Sequence, residues 1–145
     1  MKALIQRVSK ANVKVESSIA GEIDHGLLVF LGVTDNDTSE EVDFLVNKIV
    51  NLRIFNDNND KMNLSLLDVK GEMLVVSQFT LYADCQRGRR PSYTQAAAPD
   101  YADKMYEEFI SKINELGIEV KSGVFGAHME VSLINDGPVT IMIEK

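Results

Sequence analysis

The segment GLLVFLGV, at residues 26–33, restricts the fold more than any other part of the sequence. It is a continuous apolar run bounded by glycines, and it is far shorter than the roughly 20 residues that cross a membrane. A strand with one solvated face would alternate apolar and polar residues, whereas a continuous apolar run indicates a strand covered on both faces. The segment therefore predicts a central strand in a layered domain.

Further strands are predicted on both sides of this central strand. In NVKVE, residues 12–16, apolar and polar residues alternate as in a half-buried strand. Apolar runs or alternation predict strands at residues 3–8, 13–16, 72–83, 128–136 and 139–144. The segments at 56–63 and 89–100 are polar or irregular, and we expect them to be loops.

Two amphipathic helices are predicted. Thr38 and Glu41 have the spacing of a capping box, and apolar residues then recur at helical intervals. A second helix is predicted over about residues 99–116, with proline at its first position and glycine after its end. Because strands and helices do not alternate regularly, we expect an α+β fold. It would be a strand-rich layered sandwich with mixed sheets and two main helices, formed by residues 1–145 as a single domain.

Composition limits the classes of function. The 145 residues carry a net charge of −7, which argues against coating nucleic acid regardless of sequence, since that needs a broad basic face. One local basic cluster lies in QRGRR and consists of Arg87, Arg89 and Arg90. Cys85 is the only cysteine, so no internal disulfide can form, and MKALIQRVSK lacks the apolar core of a secretion signal. We expect a soluble, cytoplasmic protein that does not bind membranes.

Standard catalytic groups are scarce. His25 and His128 are far apart, and neither has a partner at metal-ligand spacing, so no metal site is predicted. No phosphate-binding glycine motif or nucleophile elbow occurs. Cys85 has no histidine close to it in sequence that could activate its thiol.

Polar residues interrupt the strand predicted at 72–83. Within VVSQFTLYAD, residues 75–84, Ser77 and Gln78 follow the apolar run MLVV. As a strand, this segment would place odd-numbered residues on one face and even-numbered residues on the other. Two interpretations stay open, because buried polar groups need partners. Either these residues satisfy the strand end, or the strand end opens into a pocket where hydroxyls and backbone N–H groups polarise a carbonyl.

The later part of the chain combines glycines with large apolar residues. In GVFGAHMEVSL the glycines permit close backbone approach, and Phe125 and Met129 either fill the core or line a pocket. In INDGPVTIMIEK, turn-forming Asn-Asp-Gly precedes an alternating segment, which predicts a hairpin. Pro138 directly follows Gly137, although proline removes a backbone donor where a returning strand would pair.

Two of these segments together resemble a known family. SQFTLYAD, residues 77–84, and NDGPVT, residues 135–140, resemble the two signature motifs of D-aminoacyl-tRNA deacylases. QRVSKANVKV, GRRPS and GVFGAHMEVSL resemble the same family in the same order, so the resemblance extends over nearly the whole chain. It implies a strand-rich homodimer that needs no metal or organic cofactor. Its active site would lie at the dimer interface and bind the 3′ end of aminoacyl-tRNA.

The resemblance also implies the activity. The ester between a D-amino acid and the terminal adenosine of tRNA would be hydrolysed, as would mischarged glycyl-tRNA(Ala), and this proofreads chirality. One subunit would supply the catalytic pocket wall, and its partner would insert a Gly-Pro with a cis peptide bond that rejects L-aminoacyl esters. Carried over by position, the wall is Ser77, Gln78, Phe79 and Thr80, and the selector is Gly137 and Pro138.

Further positions are assigned by the resemblance or by charge. Ala102, Phe125 and Met129 are implied to line the adenosine and aminoacyl site, and Arg7 is implied to hold the Gly-Pro loop. The basic cluster in QRGRR offers local contacts to tRNA phosphates, which would reconcile the acidic net charge with this ligand.

The mechanism is predicted from what SQFT lacks. It contains no His, Asp or Lys, so we expect water to attack the ester with help from the 2′-hydroxyl of the tRNA. Backbone amides around Phe79 would bind the oxyanion. Thr80 is an alternative nucleophile without an evident general base. Two other classes stay open: a non-catalytic nucleic-acid-binding module, and a thiol enzyme that uses Cys85.

Overall fold

The computed structural model describes residues 1–145. The first strand, β1, is Lys2–Val15 in one piece, whereas the sequence predicted two strands at residues 3–8 and 13–16. β1 continues because it pairs antiparallel along one edge with the last strand, β8 (Glu130–Glu144), over nearly its whole length. The polar residues between the two predicted strands lie within this pairing. Ser9 and Lys10 are exposed and Asn12 is half-buried, so the strand accommodates these polar side chains without ending.

The other edge of β1 carries two strands. β3 (Gly26–Gly32) pairs antiparallel with the first half of β1, and β2 (Ser18–Ile23) pairs with its second half. β3 also pairs parallel with β6 (Glu72–Ser77), which pairs parallel with β7 (Val120–Ser122). The sheet is therefore mixed, as predicted. The side chains of Leu27–Val29 are fully buried, which confirms the prediction of a central strand covered on both faces.

Two long helices cover one face of the sheet. α1 (Ser39–Val50) begins at the predicted capping box, where Glu41 accepts a hydrogen bond from the Thr38 backbone N–H at 2.8 Å. α3 (Pro99–Glu115) occupies the predicted range. The apolar stripes of both helices pack on the sheet in a core cluster of 23 buried residues. No helix of the chain combines the length and the apolar character that crossing a membrane requires.

The region between α1 and β6 contains short elements that the sequence analysis missed. β4 (Phe55–Asn56) and β5 (Met62–Leu64) form a small antiparallel pair around the predicted polar loop. α2 (Leu66–Val69) follows, and the Ser65 side chain caps its start. Elements of this length hold too few residues to show a periodicity.

A second, smaller core covers the other face of the sheet. It forms where β1 and β2 curl over β3 and β6, and it contains Val8, Ala11, Val13, Ile23, Leu28, Leu74 and Val76. Gly21 of β2 allows this approach, because a Cβ atom there would lie 2.7 Å from the carbonyl oxygen of Ser122 in β7. The strand-rich α+β fold with a mixed sheet is therefore confirmed.

β8 corrects the predicted hairpin. The sequence predicted two strands separated by a turn, but both halves of β8 pair with the same strand, β1. Gln6 of β1 lies opposite Thr140. Two residues further along β1, Val8 lies opposite Asn135, so the residues of β8 in between bulge out of the ladder. The Asn-Asp-Gly sequence thus forms a bulge instead of reversing the chain.

β8 is also an edge strand. It pairs only with β1, so the backbone groups along its other edge have no strand partner within the chain. Its inward side chains pack on the two cores, but Ile134 and Met142 are 62% and 50% exposed. Long uncovered edge strands favour pairing with another chain. β8 is therefore the edge at which a partner chain would form hydrogen bonds with the most unpaired backbone groups.

Candidate active site

β6 ends earlier than predicted, at Ser77. The backbone N–H of Gln78 donates to the Leu31 carbonyl oxygen at 2.8 Å, and the chain then turns into a 3-10 helix at Phe79–Tyr82. The strand predicted up to residue 83, with its two alternating faces, is therefore wrong beyond Ser77. β6 ends where its pairing with β3 ends: Ser77 lies opposite Leu31, and β3 itself stops at Gly32, so β6 has no partner along which to continue.

Polar groups gather at this turn. The Gln78 side-chain amide donates to the Thr80 hydroxyl oxygen. No side chain caps the start of the 3-10 helix, and its first backbone N–H groups, at Phe79 and Thr80, have no acceptor within the helix. The end of a buried strand thus presents hydroxyl, amide and backbone N–H groups without an ionisable side chain.

A cavity of about 540 Å³ opens at this end of the sheet. It lies between the ends of β3 and β6, the start of α3 and the segment that leads into β8. Its walls are mostly apolar, and among the lining residues only Tyr93 and His128 have ionisable side chains. Six of the predicted site residues line it: Ser77, Gln78, Phe79, Ala102, Phe125 and Met129.

Core contacts shape the wall that Phe125 and Met129 form. Phe125 packs near Tyr106 of α3, with ring centroids 6.0 Å apart. The Tyr106 hydroxyl donates to the Val75 carbonyl oxygen at 2.8 Å, and burial raises the pKa of this phenol, which keeps it neutral. Met129 passes over Gly123, where a Cβ atom would lie 2.5 Å from the methionine sulfur. The wall therefore depends on a glycine and a buried hydrogen bond behind it.

The cavity includes residues that the sequence analysis did not assign. They belong to the irregular segment before α3 and to the approach to β8: Tyr93, Ala96, Ala97, Pro99 and His128. The backbone N–H of Ala97 donates to the Val33 carbonyl oxygen at 2.9 Å, which holds the irregular segment against the end of β3. The small side chains of AAAP are the only sign of this close packing in the sequence.

Arg7 lies beneath the bulge of β8. It is 6% exposed, and its Nε atom donates to the Asp136 carbonyl oxygen at 3.1 Å and lies 3.2 Å from the Asp136 carboxylate. Its Nη1 atom donates to the Ile54 carbonyl oxygen at 2.6 Å and to Asn56 Oδ1 at 3.2 Å. The guanidinium therefore connects the bulge to the segment around β4.

The tip of the bulge is Gly137–Pro138, joined by a cis peptide bond. Gly137 has a φ of +123°, and a Cβ atom there would lie 2.8 Å from Nη2 of Arg7. On the other side of the bulge, Asn135 Oδ1 accepts a hydrogen bond from the Val139 backbone N–H at 3.1 Å. Both tip residues are exposed, and neither lines the cavity of its own chain. The tip is thus a braced projection on the surface.

The predicted basic cluster lies in an exposed loop next to the cavity. Asp84 and Ser92 exchange two backbone hydrogen bonds, of 2.8 and 2.9 Å, which close residues 85–91 into what we call the arginine loop. Three arginines of this loop are exposed and form no salt bridge: Arg87, Arg89 and Arg90. Cys85 is exposed in the same loop and does not line the cavity.

Two solved structures share this architecture. One, described as "c-Myc DNA Unwinding Element Binding Protein", superposes with a TM-score of 0.94 at 38% identity, over 100% of this chain and 99% of that chain. The other, described as a probable eukaryotic D-amino acid tRNA deacylase, gives a TM-score of 0.84 over 98% and 97% of the two chains. Its 19% identity supports the shared fold alone. The class is thus a small, strand-rich α+β domain of this topology.

Sequence similarity then gives the family. The family model for D-Tyr-tRNA(Tyr) deacylase matches residues 4–144. Proteins called D-aminoacyl-tRNA deacylase are 57% identical in Thermosipho africanus (strain TCF52B) and 56% identical in Clostridioides difficile (strain 630), over 100% of this chain and 97% of each protein. Another, from Desulfatibacillum aliphaticivorans, is 59% identical over 100% and 99%. The chain belongs to the D-Tyr-tRNA(Tyr) deacylase family, as its motifs predicted.

Proposed function

We propose that this chain hydrolyses the ester between a D-amino acid and the terminal adenosine of tRNA, releasing the free amino acid and the tRNA. One observation carries the proposal: two segments that resemble the deacylases, SQFT and GVFGAHM, meet at a single cavity. Relatives that bear the name D-aminoacyl-tRNA deacylase are 56%, 57% and 59% identical over the whole chain. The residues around this cavity therefore lie in a chain that closely resembles these relatives in sequence.

The cavity suits a terminal nucleoside and its ester. Apolar walls can contact a base and an aminoacyl side chain, while a few polar groups orient the ligand. We assign Ala102, Phe125 and Met129 to the adenosine and aminoacyl contacts. A net charge of −7 disfavours wide contact with tRNA, so the protein would grip only the single-stranded 3′ end. The arginine loop would supply the phosphate contacts.

In the proposed mechanism, water attacks the ester carbonyl carbon. The backbone N–H groups of Phe79 and Thr80 would stabilise the oxyanion that develops on the carbonyl oxygen. The tetrahedral intermediate then expels the ribose oxygen, which takes up the proton lost by water through the 2′-hydroxyl of the tRNA. An aminoacyl ester is already activated, so positioning and polarisation can carry this reaction. Thr80 is not assigned as nucleophile, because its hydroxyl accepts from Gln78 and contacts no general base.

The Gly137–Pro138 tip is proposed to select chirality. A rigid backbone carbonyl beside the Cα atom of the bound residue would collide with an L side chain but leave room for hydrogen or a D side chain. Glycine would pass the same steric test, so mischarged glycyl-tRNA(Ala) is a second expected substrate. Arg7 and Asn135 support this role, because they brace the tip within its own chain.

The selector requires a homodimer, since the tip does not line the cavity of its own chain. β8 supports this proposal, because it offers an unpaired edge and the exposed side chains of Ile134 and Met142. In a two-fold dimer each copy uses the same surface, so the tip within β8 of each copy would reach the cavity of the other copy. Each of the two active sites would then contain residues of both chains.

A nucleic-acid-binding module without catalysis is the second candidate. The 38% identity to the structure described as "c-Myc DNA Unwinding Element Binding Protein" favours it. The net charge of −7 counts against broad DNA binding. A thiol enzyme has no such support, because Cys85 lies outside the cavity lining.

Matched esters separate these candidates. One tRNA is charged with D-tyrosine or with L-tyrosine, and loss of each ester is followed with and without the protein. A deacylase of the proposed kind removes the D-ester rapidly and spares the L-ester. A binding module leaves both esters at their spontaneous rates, and that result would reject the proposed activity. A Cys85→Ser variant with full activity would dismiss thiol catalysis.

A further inference from the structure

Two aromatic rings stand together at the rim of the cavity. Phe79 and Tyr93 meet edge to face, with ring centroids 5.0 Å apart and planes inclined at 71°. Their residues are 54% and 39% exposed, although aromatic side chains usually bury most of their surface. Both line the cavity, and the Tyr93 hydroxyl has no hydrogen-bond partner in the chain. The pair therefore presents exposed apolar ring surface to any part of a bound ligand that extends out of the cavity.

The arginine loop begins where this aromatic pair ends. Ser92, which closes the loop through its two hydrogen bonds with Asp84, directly precedes Tyr93 in sequence. The three exposed arginines are thus fixed to the same short segment as the aromatic ring. Proteins that hold single-stranded nucleic acid combine these two elements, with rings that stack on bases and cations that contact phosphates.

We infer that the rings of Tyr93 and Phe79 form the stacking surface for the base of the penultimate nucleotide of the RNA 3′ end. This inference rests on the proposed function, in which the cavity encloses the terminal nucleoside and its ester. The next nucleotide then leaves at the rim, where the aromatic pair lies, and its phosphate comes within reach of the arginine loop. Tyr93 thereby extends recognition beyond the terminal adenosine, in a way that suits any base with an open face.

Binding of stable analogues isolates the contribution of that base. The parent ligand is adenosine with a D-tyrosyl group joined to a 3′-amino group, so that the linkage is an amide instead of an ester. Two extended ligands carry an additional nucleotide on the 5′ side, one with cytosine and one with an abasic ribose. They share the same phosphate, so the ratio of their dissociation constants measures the base alone. Calorimetric titration of the full chain gives both constants.

The wild-type protein should bind the cytosine ligand about 5- to 150-fold more tightly than the abasic ligand, the range for one base stacked on an aromatic ring. Tyr93→Ala should bring this ratio close to 1, and Tyr93→Phe, which keeps the ring, should retain it. Phe44→Ala is the matched control, because Phe44 is 40% exposed on α1 and does not line the cavity. It should leave the ratio at the wild-type value.

A ratio near 1 in the wild-type protein would overturn the inference, including the case in which a second copy of the chain or another protein covers the rings. A ratio that Tyr93→Ala leaves unchanged would overturn it as well. Because the ratio compares two ligands on one variant, a general loss of affinity cancels. The D/L ester assay tests the proposed function separately. If the protein hydrolyses neither ester but keeps the base-dependent ratio, the proposed deacylase activity is rejected and the stacking surface is retained.

Discussion

Replacing Gly137 with alanine should destabilise the chain by more than its backbone conformation alone explains. The new Cβ atom would lie 2.8 Å from Nη2 of Arg7 and 3.0 Å from Cγ2 of Val139. The φ of +123° is also one that residues with a side chain rarely adopt. Gly88 provides the matched control, because it too has a positive φ, of +71°, but nothing lies within 4 Å of a Cβ atom added there.

The magnitude follows from these two contributions. A φ in the left-handed region costs a residue with a Cβ atom about 1–2 kcal/mol, which applies to Gly88. The φ of Gly137 lies outside that region, where the cost is about 1–3 kcal/mol. At Gly137 the guanidinium of Arg7 must also move, although it is buried and donates hydrogen bonds to the carbonyl oxygens of Asp136 and Ile54. Losing one hydrogen bond of a charged group costs about 1.5–3 kcal/mol. We therefore expect about 2.5–6 kcal/mol for Gly137→Ala and about 1–2 kcal/mol for Gly88→Ala.

Thermal unfolding measures the difference. At roughly 3 °C per kcal/mol for a chain of this size, Gly137→Ala should lower Tm by about 8–18 °C and Gly88→Ala by about 3–6 °C. In an Arg7→Met background, Gly137→Ala should cost less, by the contribution of the displaced guanidinium, and the backbone cost and the contact with Val139 remain. If both alanine variants melt within about 2 °C of each other, Arg7 does not brace the tip and this reasoning fails.

Other substitutions test the remaining parts of the site. Thr80→Ala should keep the rate of D-ester loss within about tenfold of wild type; a thousandfold loss with binding intact would restore Thr80 as nucleophile. Glutamate at all three arginines of the arginine loop should reduce the slope of log affinity for tRNA against log salt by about 2, and an unchanged slope would remove them from the phosphate contacts. Ile134→Glu with Met142→Glu should shift the protein to monomers in sedimentation and abolish D/L selectivity. Leu116→Glu, at a site 49% exposed on the end of α3, should change neither, and selectivity that survives in monomers would exclude a cross-subunit selector.

Local patterns predicted the parts of the fold that depend on neighbouring residues. The apolar run GLLVFLGV became the buried strand β3, and the Thr38 capping box became the start of α1. β6 was predicted too long because its end coincides with the end of its partner β3, which is distant in sequence. β1 and β8 were each divided in two, because polar or turn-forming residues inside them resemble strand ends. Only their mutual pairing keeps both strands continuous.

The residues of the candidate site could likewise be predicted only in part from the sequence. The residues alone left two interpretations of Ser77 and Gln78, a satisfied strand end or a pocket, and the resemblance to the deacylases led to the pocket. The structure does have a cavity there. Tyr93 was not assigned, because its position depends on backbone hydrogen bonds such as that from Ala97 to Val33. Such a bond joins distant segments without involving a side chain, so the small residues of AAAP are its only sign in the sequence.

Arg7 and Gly137 act together in the bulge of β8, although neither residue type indicates this in the sequence. The pairing between β1 and β8 passes from Gln6 to Val8, and Arg7 between them has no opposite residue on β8. The Arg7 side chain replaces the missing pairing between the strands, because it donates a hydrogen bond to the Asp136 carbonyl oxygen within the bulge. Gly137 must then lack a side chain, because the guanidinium occupies the adjacent space. In the sequence, Arg7 looks like an ordinary strand residue and Gly137 like an ordinary turn residue. A change at either position therefore has to be interpreted together with the other.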